Sequence, residues 1–563
     1  MYLATEPLDP LALPGVEPTP ESSATAVSER IVRNAGVASF AVLLSRLSGL
    51  VREMIMARLF GAGLANDAFN IAFRIPNLTR DLFAEGALSA AFVPTFVETL
   101  KTKGRKEAAE LANQVATAIL LFVGLVCLLG ILASPWLVSL LTRGWASAPP
   151  EKQQLAVLMT QIMFPFLLLV ALAAQAMGIL NSLNKFALPA LSSTFFNVGS
   201  ICAGLFLGFV AGPHFGFQRI TGMAFGVVFG GLLQLAVQMP SLYREGFRFK
   251  LHLDFHHPGL RHIFKLMGPA TLGNAAVQIN VMVNTWFAAS IHDPVRGVDG
   301  PVSWLQYAFR FMQLPLGLFG VAIATATLPA ISKSAASKDM DEFRETLARS
   351  LGLVFLLTVP ASLGLVILGP SIVGAIYQHG KFQAYDTNQT AIALACYSIG
   401  LAGYSAIKVL IPAFYTLGDS RTPMLTSIGS IAVNAILAIA LVRYAGLGHA
   451  GLALSTSSVA LVSFFILFEV IRRRIAGMHG RRLRSTILRV AAASLAMSAV
   501  VWLSSTAVHR AFGSGKLAQL SDLAVSIPLG LATLYAAARV LRIEELDLAT
   551  RALAGPVLRR FGR

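Results

Sequence analysis

Nine ionisable side chains interrupt stretches of this 563-residue chain that are otherwise apolar: Arg46, Arg52 and Glu53 in one, Arg74, Arg80, Asp81 and Glu85 in the next, then Arg310 and Lys408. A central arginine costs about 2.5–3.5 kcal/mol on membrane-insertion scales, so five left facing lipid would cost on the order of 12–18 kcal/mol. They must face water, carboxylates or a ligand. On a helix Glu53 falls nearly beneath Arg46, and Arg52 about 120° away, so all three can border one wide cavity. Arg46, Arg52, Arg74, Arg80 and Arg310 outnumber Glu53, Asp81 and Glu85, which leaves a surplus suited to an anion. The planar guanidinium fork matches phosphate or pyrophosphate better than a lysine point charge does. Arg74 and Arg80, near a span end, have a second reading: they snorkel, or pair with Asp81 and Glu85.

Those residues need apolar elements around them, and the composition provides these. The chain is 55% hydrophobic and 13% charged, with mean hydropathy +0.67 and net charge +17, whereas a soluble chain carries about a quarter charged residues. An ordinary cytosolic enzyme is excluded. The basic residues are scattered between apolar runs, a pattern of membrane topology and not of a nucleic-acid surface. Gly380-Lys381 and Gly515-Lys516 are followed by Phe382 and Leu517, which rules out a phosphate-cradling loop of the Gly-Lys-Ser/Thr type. Cys127, Cys202 and Cys396 are far apart in apolar runs and read as small apolar side chains.

Division at polar, Pro/Gly and charged breaks predicts about fourteen transmembrane helices, near 34–58, 65–97, 111–142, 154–182, 188–211, 220–243, 261–290, 301–332, 344–369, 386–416, 422–443, 449–473, 486–507 and 519–541. With both termini cytoplasmic, roughly 29 Lys/Arg fall inside and roughly 8 outside, as the positive-inside rule asks. Paired anchors recur at an offset of about 235 residues: Ala72-Phe73-Arg74 with Ala308-Phe309-Arg310, Phe83 with Phe319, Pro94 with Pro329, and the segment around Asn184 and Pro189 with Leu417-Gly418-Asp419 and Pro423. The fold class is therefore an all-α polytopic membrane protein, with two six-helix lobes related by an internal repeat and two C-terminal helices. The expected organisation is a disordered cytoplasmic tail (1–30), lobes at 31–245 and 258–475, the two extra helices at 484–541, and a basic cytoplasmic tail (542–563). A substrate site is expected in the cleft between lobes.

Breakers fit a moving cleft: Gly49, Gly61, Gly63, Pro76 and Gly86 interrupt the first two spans, where irregular helix is tolerated if it lines a cavity. Gly222, Gly226 and Gly230, at four-residue spacing, suit close helix packing. His252, His256, His257 and His262 read as an interfacial segment in preference to a metal site. Asp339-Met340-Asp341, although it has the form of a paired-carboxylate motif, lies in the charged stretch Ser332–Arg349 and reads as a solvated helix face.

The run Ser45-Arg46-Leu47-Ser48-Gly49-Leu50-Val51-Arg52-Glu53, then Phe60-Gly61-Ala62-Gly63, Asp67-Ala68-Phe69, Pro76-Asn77-Leu78, Phe83-Ala84-Glu85-Gly86-Ala87 and Ala91-Phe92-Val93-Pro94, resembles the MurJ (MviN) family of lipid II flippases. Ser303-Trp304, Ala308-Phe309-Arg310, Leu328-Pro329 and Leu417-Gly418-Asp419-Ser420-Arg421-Thr422-Pro423 agree. The resemblance covers about residues 31–541 and implies the multidrug/oligosaccharidyl-lipid/polysaccharide exporter fold, whose two extra helices form a lipid-tail groove. It implies Arg46, Arg52 and Arg310 as essential cavity cations, Asp67, Arg80 and Glu85 as supporting polar positions, and Ala57 and Ser303 as cavity-lining ones. Phe309 and Gln313 depart from it, since relatives often carry acidic residues there; Glu53 in place of Asp is milder.

The function expected on this basis is movement of lipid II, the undecaprenyl-pyrophosphate-linked disaccharide-pentapeptide, from the cytoplasmic to the periplasmic leaflet of the bacterial inner membrane. The arginines would engage its pyrophosphate. No cofactor, metal, nucleic acid or enzymatic step is expected, and the protein is read as a monomer among membrane lipids, with cell-wall synthesis proteins as candidate partners. The alternatives are an exporter of another lipid-linked oligosaccharide or of drugs, a membrane-embedded transferase of lipid-linked sugars, and a non-transporting scaffold. A transferase would need acid/base groups in a roomy external loop, and the external loops expected here are short.

Overall fold

The computed structural model describes residues 41, 43–81, 87–252, 254, 257–477, 480–548 and 550. Glu85, Gly86, His256, the 1–30 tail and most of the basic C-terminal tail lie outside the described residues. In chain order the long helices are α1 (43–60), α2 (Leu64–Arg80), α3 (Ala87–Thr102), α4 (Arg105–Leu141), α5 (Pro150–Ser182), α6 (Ala187–Phe215), α7 (Arg219–Arg244) and α8 (Pro258–Ser290). They continue with α9 (Pro301–Ala336), α10 (Met340–Tyr377), α11 (Ala384–Ile399 with Leu401–Thr416), α12 (Arg421–Tyr444), α13 (Gly448–Arg474), α14 (Gly480–Phe512) and α15 (Lys516–Val540).

Local chemistry sets several of these boundaries. Proline opens α5 and α9, where its missing N–H costs nothing. Asp339 caps α10 by accepting the Glu342 amide at 2.9 Å, and Asp341 pairs with Arg344 at 2.7 Å, so this acidic stretch is a helix start. Between α11 and α12, Gly418 takes the left-handed conformation (φ 73°). Asp419 then accepts the Thr422 amide at 3.0 Å and hydroxyl at 2.7 Å, which hold its carboxyl below the ordinary carboxylate range, and it pairs with Arg474.

Ten of these helices, α4 to α7, α9, α10 and α12 to α15, are long and apolar enough to cross a membrane, and α11, bent by 42° at Gly400, makes eleven. The protein is thus an all-helical, multi-pass membrane protein. The expected spans outside this set correspond to α1, to α2 with α3, and to α8. They carry many of the chain's intramembrane charges and amides: Arg46, Arg52 and Glu53 on α1, Asn66, Asp67, Asn70 and Arg74 on the 17-residue α2, and Gln278, Asn280 and Asn284 on α8.

Packing places the core in three main regions. One cluster lies within residues 88–263 and another within 323–483. The largest joins both halves of the chain, including Ala57, Ile71 and Met163 from the first with Trp304, Tyr307 and Tyr377 from the second. Helix α8 belongs to two neighbourhoods: Leu260 and Ile263 pack in the first-half cluster, while Asn280 and Asn284 meet Asn434 of α12. Helices α14 and α15 pack on each other and on α10. Asp522 of α15 pins them there, accepting hydroxyls from Ser505, Ser526 and Ser371.

Candidate functional site

The site is built where α1 meets α9. Arg310 reaches from α9 to α1, with Nε 3.5 Å from Glu53 Oε1, and a β-carbon on Gly49 would fall 2.6 Å from its Nη2. Arg46 reaches the other way: a β-carbon on Gly317 would fall 2.6 Å from its Nη1. Each arginine lies over a glycine of the opposite helix, and neither helix could carry even an alanine there without moving a guanidinium. The second Glu53 oxygen accepts the Tyr377 hydroxyl at 3.0 Å. Asn197 of α6 braces α1, donating to the Ser45 carbonyl at 3.2 Å and to Ser48 Oγ at 3.0 Å. The Arg52 guanidinium sits over the Phe73 and Phe196 rings, 5.8 and 5.4 Å from their centres. Arg80, at the end of α2, pairs with Asp81 at 2.9 Å. The structure therefore brings Glu53 and Arg310 together, seats Arg46 against the same helix at Gly317, sets Arg52 beside α2 and α6, and leaves Glu85 outside the described residues.

Asp67 and Ser303 belong to a different cluster, in which they engage each other. The fully buried Asp67 carboxylate caps α9 from the other half of the chain: Oδ2 accepts the Gly300 amide at 2.8 Å, and Oδ1 accepts the Ser303 amide at 3.0 Å and hydroxyl at 2.5 Å. A carboxylate at a helix N-terminus meets both free N–H groups and the positive end of the helix dipole. Lys152 makes the charge tolerable. Its ammonium, as buried as Asp67, lies 3.3 Å from Asp67 Oδ2, 2.7 Å from Asp299 Oδ1 and 2.8 Å from the Val298 carbonyl, and 4.2 Å from the centre of the Trp145 ring. Asn66 donates to the Tyr307 hydroxyl at 2.8 Å and Asn70 to Ser303 Oγ at 3.2 Å. Nearby, Asp386 accepts Trp304 Nε1 and Arg296 Nη2, each at 3.1 Å, and the Lys381 amide donates to the Arg58 carbonyl at 3.0 Å. These contacts lie at one end of the bundle, where α1, α4, α8 and α10 finish and α2, α5, α9 and α11 begin. They form a seal between the two halves of the chain.

Ser303, Gln306 and Arg310 share one face of α9 at helical spacing, so the seal and the arginine site are successive turns of one stripe. Among the described residues no three His, Cys, Asp or Glu side chains gather as a metal site would require.

The family model for lipid II flippase MurJ matches residues 56–521. The chain belongs to the MurJ family. A lipid II flippase MurJ of Burkholderia cenocepacia is 36% identical over 436 residues, covering 77% of this chain and 82% of that protein. A protein of Vibrio cholerae described as "Probable lipid II flippase MurJ" is 33% identical over 539 residues, covering 93% and 99%. A solved structure of lipid II flippase MurJ in an inward closed conformation covers 90% of this chain and 99% of its own, with TM-score 0.72 and 27% identity. An inward-facing multidrug resistance MATE family transporter of the MOP superfamily, 14% identical with TM-score 0.64, covers 78% of this chain and 98% of its own and shares the fold. MurJ proteins are transporters and not enzymes, and this chain is one of them.

Within this MurJ chain, sequence reasoning missed Lys152, Tyr377 and Asp386 and gave Trp304, named only as part of a family motif, no role. Lys152 follows Pro149-Pro150-Glu151 and has the appearance of a loop charge before an apolar run. Its partners Val298 and Asp299 are far along the chain, and no local spacing announces them. The departure at Phe309 is an aromatic contact, edge-on to Tyr397 with centres 5.4 Å apart, while Gln313 is exposed.

Proposed function

We propose that this protein carries lipid II from the cytoplasmic to the periplasmic leaflet by alternating access, with Arg46, Arg52 and Arg310 engaging the pyrophosphate. The observation that carries this reading is the reciprocal seating of Arg46 over Gly317 and Arg310 over Gly49. Two guanidiniums from facing helices thus stand along one crossing, about two helical turns apart, Arg310 beside Glu53 and Arg46 at Gly317, in a chain whose family is described as lipid II flippase. Charge-assisted forks of this kind hold phosphate oxygens in pairs.

The working architecture is fourteen spans in two six-helix lobes plus α14 and α15, with both termini cytoplasmic. Support for the repeat comes from backbone irregularities at matching places: π-helical turns at Phe206–Ala211 in α6 and Ile439–Tyr444 in α12, 233 residues apart, and left-handed residues at Asn184 (φ 59°) and Gly418 (φ 73°), 234 apart. In this orientation the seal faces the periplasm. Lipid II enters from the cytoplasmic leaflet with its isoprenoid tail in lipid along α14 and α15, its pyrophosphate displaces Glu53 from Arg310, and breaking of the seal exposes the headgroup outside. Release requires weaker binding in the outward state, because a ligand held equally by both states shifts neither.

The test is replacement of a cell's only flippase. Arg46→Ala, Arg52→Ala and Arg310→Ala are each expected to insert normally yet fail to support growth, with lipid II remaining protected from a probe added outside the cell. Full growth with all three variants would remove the arginines from the mechanism, and unchanged lipid II exposure after depletion of the protein would remove the transport reading.

A further inference from the structure

A second cavity, of about 270 Å³, opens between α2, α8, α9, α11 and α13, with Arg74 in its wall. It is a little below the range of about 300–1,000 Å³ usual for sites that enclose a whole small molecule, so it fits the end of a chain and not a disaccharide. Arg74 Nη2 donates to Gln306 Oε1 at 2.6 Å, an amide and not a carboxylate. The nearby Asp81 is held by Arg80. The rest of the wall is uncharged: Asn280, Asn284, Tyr397 and Thr456 supply polar groups among apolar side chains such as Val281, Leu305 and Leu452. The two α8 asparagines turn their amide oxygens toward Asn434 of α12. Asn434 Nδ2 donates to Asn280 Oδ1 and Asn284 Oδ1, each 2.7 Å away. Both α8 amide nitrogens are left as donors.

One cation among amide donors and phenols is the complement of a single carboxylate flanked by peptide groups. A pyrophosphate, with more charge, is better matched by the arginines at the α1–α9 crossing. Gln306 lies one helical turn from Arg310 on the same face of α9, an axial distance of about 6 Å. A peptide attached to the sugar beside a pyrophosphate at Arg310 therefore comes within reach of Arg74. We propose that Arg74, oriented by Gln306 and flanked by Asn280 and Asn284, forms a separate subsite that takes a carboxylate of the cargo's peptide stem. This rests on the lipid II reading above and adds to it a residue that discriminates by peptide.

The test compares three ligands on the purified full chain in lipid nanodiscs: undecaprenyl pyrophosphate, lipid II, and lipid II with its peptide carboxylates converted to carboxamides. The unaltered protein is expected to bind lipid II about tenfold or more tightly than the carboxamide form, the loss associated with one charge-assisted hydrogen-bonded pair. Arg74→Gln should bring that ratio close to one and leave undecaprenyl pyrophosphate binding unchanged, and Arg74→Lys should restore part of it. Equal binding of lipid II and its carboxamide by the unaltered protein would overturn the subsite without any variant. So would an Arg74→Gln protein that lost undecaprenyl pyrophosphate and lipid II in equal measure. If the unaltered protein bound none of the three, the cargo reading itself would fall, and the subsite with it.

Discussion

Gly49 and Gly317 are as much a part of the proposed anion site as the arginines they face. A glycine inside a helix costs about 1 kcal/mol relative to alanine, and at position 49 the space it leaves is filled by Arg310 Nη2, with Asn197 Nδ2 next, 3.5 Å from where a β-carbon would stand. Gly49→Ala meets only the flexible end of a side chain there, so the fold accommodates it by moving the guanidinium. The expected result is a melting temperature equal to or above that of the unaltered protein, together with an affinity for lipid II lowered by about 10- to 100-fold, the worth of a displaced charge-assisted contact. A Gly49→Ala protein that bound and transported normally would show that Arg310 need not rest where it does. Glu53 works in the opposite sense: held by Arg310 and by the Tyr377 hydroxyl, it offsets the guanidinium charge and, in the proposed cycle, would yield that place to cargo.

Helix α9 orders the site as an element. Its first turn is the seal, its second carries Gln306 toward Arg74, and its third presents Arg310, so a shift of α9 relative to α1 and α2 alters all three together. Lys152 is the cation on which the first turn depends, because it bridges Asp67 on its own side to Asp299 and the Val298 carbonyl across the seal. Removing one partner of a buried ion pair costs about 3–5 kcal/mol. In Lys152→Met that penalty falls partly on the sealed state alone, and each 1.4 kcal/mol there moves the sealed-to-open ratio about tenfold. Spin-label distances between the 61–63 and 378–383 loops should lengthen in Lys152→Met and return toward the original in the Lys152→Met/Asp67→Asn double variant, where the uncompensated carboxylate is gone. An unchanged distance distribution would make Lys152 a packing residue only. This element also shows what could be read in advance. The arginines of α1 and α9 announced themselves, because charge inside an apolar run is costly and spacing places it on a face. Asp67 and Ser303 were reached only through family resemblance, since one buried aspartate on a short polar helix has no periodic signature. Lys152 was invisible, because it stands at the start of a span, where lysine is ordinary, and acquires its partners from tertiary packing. The same physics explains the spans: α4 and α10 face apolar surroundings and read clearly, while α1, α2 and α8 trade apolarity for the polar side chains of the site.

Across the whole molecule, the contacts of the seal that join the two halves are the ones that the proposed alternating access would have to separate. Asn70 to Ser303, Asn66 to Tyr307, Lys152 to Asp299 and the Lys381 amide to Arg58 all connect segments from different halves of the chain at one end of the bundle. The largest core cluster joins the same halves through Trp304, Tyr307 and Tyr377, so opening exposes apolar surface, which cargo binding elsewhere must offset. Because the proposed anion site and the seal share α9, cargo bound as proposed would bias the seal without touching it, by drawing Arg310 away from Glu53. If this is how the protein works, fixing the seal stops transport and leaves binding from the cytoplasmic side intact. Asn70→Cys/Ser303→Cys, made with Cys127, Cys202 and Cys396 replaced, places two thiols where side-chain atoms now meet at 3.2 Å. A short bis-methanethiosulfonate reagent should join them, abolish outward exposure of lipid II, spare lipid II binding, and be reversed by reductant. Transport continuing in fully cross-linked protein would mean that cargo crosses without this end opening, and alternating access through the seal would have to be given up.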